Sequence, residues 1–308
     1  MYIEFKKLNF VKTIIFLLVN LCVLSMNQLY AQKGEKEKIS VLIIDGQNNH
    51  KNWPETTPMM KKYLEETGLF KVDVATTPLF GGNMEDFKPN FANYKVVLSN
   101  YNGDSWSKST KDAFEKFMNN GGGFVVVHAA DNAFPEWEAY NKMIGIGGWG
   151  NRSEKSGPYV YYDEDKQKVI NDTQAGLGGS HGIQHQFLVK VRNNEHPITK
   201  GLPAAWLHEN DELYDRLRGP AENVEVLATA YSDKAKRGSG RHEPMLMVIN
   251  YGKGRVFHTT LGHGNDSEKC VGFITTLQRG TEWVATGKVT QAVPKDFPNA
   301  QQVSIRNN

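Results

Sequence analysis

A triple glycine followed by a short apolar run, Gly121-Gly122-Gly123-Phe124-Val125-Val126-Val127-His128, constrains the fold of this chain more than any other stretch. The glycines interrupt the preceding pattern, four apolar residues follow, and a polar residue stands where the run stops. A strand without polar alternation must be buried on both faces, as in the centre of a sheet with helices on each side. In open sheets of that kind ligands sit beyond the carboxyl ends of the strands. The side chain delivered to that edge here is His128.

The rest of the first half repeats the theme. Ile39–Asp45 is an apolar run ending at Gly46, and 55–67 has helical spacing through Met59, Met60, Tyr63 and Leu64, closed by Gly68. Phe70–Thr76 alternates as a strand, and 94–99 reads as a second buried strand. Residues 107–119 read as a helix with Ser107 or Ser109 as N-cap and with Ala113, Phe114, Phe117 and Met118 on its apolar face. A further helix runs through Trp137, Tyr140 and Met143. Strand, helix, strand, repeated, implies right-handed crossovers and a mostly parallel open sheet with helices on both faces.

The second half is β-rich. Residues 159–162, His185–Val191, 224–229, 245–249 and 256–260 read as short strands. Residues 267–286 read as one helix that packs Val271, Ile274, Leu277 and Trp283 on the sheet, with Cys270 in its first turns facing the core. Residues 146–184, rich in Gly, Asn, Ser and charge, read as a long excursion over the carboxyl edge.

At the amino terminus Lys6, Lys7 and Lys12 precede an apolar stretch at 13–26, and Leu29-Tyr30-Ala31 offers a cleavage site before Gln32. This predicts a signal peptide over 1–31 and an exported protein, periplasmic or extracellular; a retained amino-terminal anchor is the alternative. A charged tether follows at 32–38, then one α/β domain over 39–288 and a tail without periodicity at 289–308. The signal segment takes three lysines and one glutamate with it, so 36 basic and 34 acidic residues become an even balance. Nothing in that balance suits nucleic acid, or stable membrane association after cleavage. Cys270 would be the sole remaining cysteine, which leaves no intrachain disulfide.

Several motifs occur in a fixed order: 122–128; Tyr140-Asn141-Lys142-Met143-Ile144-Gly145 with Gly148-Trp149; His196-Pro197-Ile198-Thr199-Lys200-Gly201-Leu202-Pro203; Asp211-Glu212-Leu213-Tyr214; and 251–257 running on to Leu261-Gly262-His263. In these the chain resembles the ThuA-like (trehalose utilisation) family of the class I glutamine amidotransferase-like superfamily. The resemblance implies a flavodoxin-like core and a link to the degradation of trehalose or similar glucosides, with 3-keto sugars as substrates. It also singles out Glu212 and Tyr214. In that superfamily the position of His128 holds a nucleophilic cysteine and a histidine comes from a late strand end, so the resemblance places His263 near His128.

The residues themselves suggest the chemistry. His128 and His263 each follow an apolar strand, and imidazole serves there as general acid/base or as metal ligand. Gly262 and Gly264 allow the tight turn that brings His263 to the edge. Glu212 can orient a histidine or complete a two-histidine, one-carboxylate metal site, although four acidic residues between 209 and 215 also suit a solvated face. His50 and Trp53 in the first loop, Trp149 and His181 in the excursion, and Tyr214 are the candidate substrate contacts, since a sugar site needs aromatic faces beside hydrogen-bonding groups. His181 and His185 lie ~13 Å apart if both are on one strand, too far to share a metal. His196, held extended by Pro197, reads as a turn organiser.

Other patterns fail on context. Gly178-Gly179-Ser180-His181-Gly182 lacks the strand-to-helix elbow that its pattern requires. Gly145, Gly147 and Gly150 follow a helix rather than a strand, so they form no dinucleotide loop. Without a cysteine at the elbow, glutaminase and cysteine-protease chemistry is disfavoured. Burial is expected to raise the Cys270 thiol pKa, and the His128 ring is expected to face substrate. The expectation is an exported carbohydrate-active enzyme using His128, His263 and Glu212 on a small-molecule glucoside or 3-keto-glucoside. A divalent metal on those three residues is left open as a cofactor, as are a metal-dependent hydrolase, a non-catalytic sugar-binding module and a homo-oligomer.

Overall fold

The computed structural model describes residues 37–307. The signal peptide expected at 1–31 and most of the tether lie outside the described residues. Glu37 and Lys38 precede the compact unit that begins at Ile39.

The first half contains β1 (Ile39–Asp45), α1 (Trp53–Glu66), β2 (Phe70–Thr76), β3 (Val96–Ser99), α2 (Lys108–Asn119), β4 (Gly123–Val127) and α3 (Glu138–Ile144). The second half contains β5 (Tyr159–Asp163), β6 (Lys168–Asp172), β7 (Ser180–His181), β8 (His185–Val191), β9 (Ala205–Asp211), β10 (Tyr214–Asp215), β11 (Val224–Tyr231), β12 (His242–Tyr251) and β13 (Gly254–Thr259), then α4 (Asn265–Glu268) and α5 (Val271–Thr286).

The main sheet has the order β2-β1-β3-β4-β13-β12-β11-β8-β9. The five strands from β2 to β13 are parallel. From β13 to β9 every pairing is antiparallel. The open α/β sheet expected from the sequence is therefore present, with the β-rich second half as its antiparallel extension. Direction reverses at each antiparallel step, so β11 and β9 run the same way as β4 and β13. The carboxyl end of β9 thus lies at the same edge as the ends of the parallel strands.

Burial explains the layers. Along β4 successive side chains alternate between two cores: Val125 and Val127 pack with Met60 and Leu64 of α1 and with Phe273, Ile274 and Leu277 of α5, whereas Phe124 and Val126 pack with Phe114 and Met118 of α2 and with Tyr140 and Met143 of α3. Every residue of β4 is buried, which is why it carries no polar alternation. Truncating Phe124 or Phe273 to alanine would cost about 3–5 kcal/mol through the cavity left in either layer. Ser107 caps α2 by accepting from the Thr110 amide.

Three expectations need correction. The helix expected over 267–286 is two segments. Cys270 is not inside a helix: it is the N-cap of α5 and bridges to Ile305. The break arises because the Val271 amide donates to Ser304 O (2.9 Å) and Lys269 O accepts from the Arg306 amide (2.9 Å), so the carboxyl-terminal residues occupy groups that a continuous helix would use. The acidic stretch 209–215 is not a solvated face. It contains the end of β9, and His208, Asp211 and Asp215 are buried. The 146–184 excursion has structure of its own, a β5/β6 hairpin paired to β12 and a β7 segment paired to β10. The tail beyond residue 288 packs Val289, Val293 and Phe297 against the α5 side of the core. Among the described residues no helix is long and apolar enough to cross a membrane.

Candidate functional site

Three turns at the carboxyl edge of the parallel strands deliver three imidazoles. The loop after β1 carries His50, and at its start Gly46 has φ +113°, where a Cβ would meet the backbone of Thr77. The turn after β4 begins with His128 itself, at φ +44°. A non-glycine residue held there stores strain of about 1–3 kcal/mol, which persists only where the surroundings over-determine it. The turn after β13 carries His263, preceded by Gly262 at φ +107°, whose absent Cβ makes room for the Phe273 ring.

Glu212, the residue after β9, meets all three rings. Its Oε2 lies 3.0 Å from His263 Nδ1, 3.6 Å from His50 Nε2 and 3.8 Å from His128 Nε2. The ring centroids are 4.4 Å apart for His50 and His263, 5.0 Å for His50 and His128, and 5.5 Å for His128 and His263. One ligand atom from each of these four residues lies within 4.8 Å of the others. His128, His263 and Glu212, singled out from the sequence, are thus brought together, and His50 joins them rather than standing apart as a substrate contact.

Each ring is held from behind. His128 Nδ1 donates to Thr260 O at 2.7 Å, since a carbonyl can only accept. His50 Nδ1 faces Asn48 Oδ1 at 3.2 Å, and the Asn48 amide nitrogen is turned away to donate to Asn100 Oδ1 at 3.1 Å. Both rings therefore commit Nδ1 as donor and direct Nε2 toward Glu212, and in the neutral imidazole that Nε2 carries the lone pair. His263 Nε2 contacts the Gln184 side-chain nitrogen at 3.1 Å.

Asp211 is the part that sequence reasoning missed. Its carboxylate accepts from the Gly262 amide (2.9 Å), the His263 amide (3.0 Å), the Glu212 amide (2.8 Å) and His208 Nε2 (2.8 Å). It clamps the turn that presents His263 to the strand that presents Glu212. Alternation along β9 buries Trp206 and His208, but a register shift against β8 then exposes Asn210 and buries Asp211, so the available signal reached only as far as His208.

Electrostatics follow from burial and company. Burial would raise the Glu212 carboxyl, but the company of the His128, His263 and His50 rings outweighs it and holds Glu212 well below the usual carboxylate range. Burial lowers the His50 pKa more than Glu212 raises it. For His128 the balance reverses: burial opposes its charge, yet Glu212 and Asp211 lift the pKa. Deeper in, burial raises the Cys270 thiol, as expected, but the His208 charge and hydrogen bond outweigh burial and the net shift is downward. Cys270 itself is fully buried.

The surrounding residues differ from expectation in two places. Tyr214 is not a substrate contact: it is 2 % exposed, with its ring 4.0 Å from that of His128, and it supports the site from beneath. His128 does not face solvent: it is 2 % exposed. Trp53 lines a cavity of about 10 Å³ beside His50 and His128, which is far too small for a sugar ring. Trp149 is half-buried, its ring 4.7 Å from that of Tyr214 at a 60° tilt and 6.2 Å from that of His181. His181 places Nδ1 3.6 Å from Glu212 Oε1 and its side chain is 40 % exposed, so the cluster opens to solvent beside His181 and His263. His185 bonds Ile183 O and lies outside the cluster. His196 organises its own turn, its Nδ1 accepting from the Ile198 amide. The larger surface depressions lie elsewhere, one of about 650 Å³ beside His185 and His242 and one of about 450 Å³ beside Phe91 and Lys116. Among the described residues no second group of His, Cys, Asp or Glu is arranged like this one.

Comparison with known proteins agrees with this fold. The model of the ThuA family, described as trehalose utilisation, matches residues 40–284. A solved structure described as a ThuA-like protein from Parabacteroides merdae is 48 % identical, with a TM-score of 0.85 over 88 % of this chain and 98 % of its own. A second, from Bacteroides uniformis, is 22 % identical with a TM-score of 0.55 over 83 % of this chain and 94 % of its own, and shares the fold. No curated protein matches the chain. With the family model spanning the sheet from β1 to the last turns of α5, the chain belongs to the ThuA family, and its function is carbohydrate-related.

Proposed function

We propose that this chain is an exported carbohydrate-active enzyme whose substrate is a glucoside or 3-keto-glucoside. The observation that carries the reading is the meeting of His50, His128 and His263 on the Glu212 carboxylate at the sheet edge where ligands dock. His181 and the half-buried Trp149 flank the opening, as an imidazole and an aromatic face for a sugar ring.

A keto group at C3 makes the C2 proton acidic. An imidazole of the site takes that proton, the electron pair forms an enolate, and the enolate collapses to a C1–C2 double bond as the C1–O bond to the aglycone breaks. The aglycone oxygen then receives the proton from imidazolium. Nothing is oxidised or reduced, and no protein nucleophile is used, which suits an elbow that carries His128 in place of a thiol.

The test is turnover of a chromogenic 3-keto-glucoside beside the parent glucoside. Release of aglycone with a conjugated enone supports the reading. Hydrolysis without an enone identifies a hydrolase on the same residues. Saturable sugar binding with no product from either substrate identifies a sugar-binding module and overturns the enzyme reading.

A further inference from the structure

The direction of the nitrogen lone pairs says more than their proximity. We propose that His50 Nε2, His128 Nε2, His263 Nδ1 and Glu212 Oε2 form the inner shell of one divalent transition-metal ion. The inference uses the site just described and does not depend on which sugar it takes.

The first argument is what the rings point at. His128 is committed to a donor bond on Nδ1, and its Nε2 is buried with no hydrogen-bond partner. His50 is committed in the same way by Asn48. His263 Nδ1 is likewise buried without a hydrogen-bond partner. Lone pairs aimed at a carboxylate repel it, and a buried acceptor left unpaired is destabilising. One proton can resolve only one of these contacts. One cation placed among them resolves all of them at once.

The second argument is spacing. Ligands at ~2.0–2.1 Å from a tetrahedral zinc-type ion stand ~3.3 Å from each other. Glu212 Oε2 stands 3.0, 3.6 and 3.8 Å from the three nitrogens, on either side of that edge length. All four ligand atoms lie within 4.8 Å of one another, so the rings close the shell by drawing in about 1.5 Å at most.

The third argument is the outer layer. Metal-bound histidines ordinarily donate their other ring N–H to a carbonyl, an amide or a carboxylate, which fixes tautomer and orientation. Thr260 O does this for His128 and Asn48 Oδ1 for His50. The Gln184 amide does it for His263 once its oxygen faces Nε2, a rotation that leaves the contact distance nearly unchanged. A set of three imidazoles and one carboxylate suits zinc, cobalt, iron or manganese rather than calcium or magnesium. With those lone pairs engaged, proton transfer falls to the exposed His181, whose Nδ1 bonds Gly182 O and whose Nε2 is left available.

Elemental analysis of the protein purified without chelator, before and after chelator dialysis and addition of zinc, cobalt or manganese, tests this. The expected result is one metal equivalent per chain, a metal-dependent rise in melting temperature, and visible absorption on cobalt loading. His50→Ala and Glu212→Gln should each lower the bound equivalent several-fold, and His181→Ala should retain it. Circular dichroism separates a folded variant that has lost metal from an unfolded one, and a cobalt titration of wild type stands even if every variant unfolds. Metal below a tenth of an equivalent with no melting shift and no cobalt spectrum overturns the proposal, as does full occupancy in folded Glu212→Gln. Metal without sugar turnover leaves this inference intact and sinks the function proposed above; metal-free turnover does the reverse.

Discussion

The parallel and antiparallel halves of the sheet reach the site by different routes. Strands β1, β4 and β13 lie among five parallel strands, so their carboxyl ends share one edge and the turns that leave them carry His50, His128 and His263. In the antiparallel half, neighbouring strands end at opposite edges. Only a strand an even number of steps from β13 returns to the site, and β9 is such a strand: Glu212 follows its last residue. The parallel half thus supplies three imidazoles as a consequence of its topology. The antiparallel half supplies the one carboxylate that makes them a group, and Asp211 ties the two together.

Substitutions can break or sharpen this contrast. The largest expected effect is on turnover in Glu212→Gln, a fall of about 10²–10⁴-fold, because it removes the charge that holds the imidazoles in place and with it the contribution a positioned proton-transfer group makes. A fall under tenfold in steady-state assays would reduce the antiparallel half to scaffolding. Asp211→Asn should cost about 3–5 kcal/mol, because it breaks a buried ion pair with His208 and sets an amide N–H either against the Gly262 and His208 donors or against those of His263 and Glu212. Urea denaturation measures this, and a loss below about 1 kcal/mol would show that the halves are joined elsewhere.

His128→Ala should cost about 1–3 kcal/mol in the same assay, because it strands the Thr260 carbonyl and removes the ring packed against Tyr214. By contrast His181→Ala, at the open rim, should stay within about 0.5 kcal/mol of wild type while turnover drops. Equal destabilisation by the two would erase the distinction between a buried site floor and an exposed rim.

The smallest effect concerns pH. Glu243, on antiparallel β12, is fully buried, and burial raises its carboxyl to about 7 from 4.5. The native chain therefore keeps a proton that the unfolded chain releases. The associated stability is complete below about 4.5 and is lost as pH rises through about 7. Glu243→Gln should flatten stability against pH across that window. An unchanged slope would mean that Ser239 and its neighbours keep the group ionised.

Local pattern reads the two halves unequally. The bounds of β1 and β2 follow from apolar runs and alternation, and β4 from its continuous burial. The positions of His128 and His263 follow because a strand end is a local event. Asp211 was hidden because acidic residues in a short run look solvated, and because a register shift against β8 takes its burial out of the alternation that Trp206 and His208 begin. The break before α5 was invisible for a different reason: the groups that cause it lie at Ser304 and Arg306, more than thirty residues along the chain. Tyr214 and Trp53 carried the right side chain for a sugar platform, but Tyr214 is buried and the cavity beside half-buried Trp53 is only about 10 Å³.

The amino-acid sequence by itself therefore determined the α/β class, the family and the presence of histidines at strand ends, since each depends on periodicity over a few residues or on motif order. Only the tertiary structure decided that Glu212 meets those histidines, that Asp211 holds the meeting in place, and which ring nitrogen each histidine turns inward. Those facts depend on strand direction across a nine-strand path and on hydrogen bonds from the backbone of distant turns. No stretch of local sequence encodes such a contact, because its energy belongs to both partners at once and exists only when the sheet has brought them to the same edge.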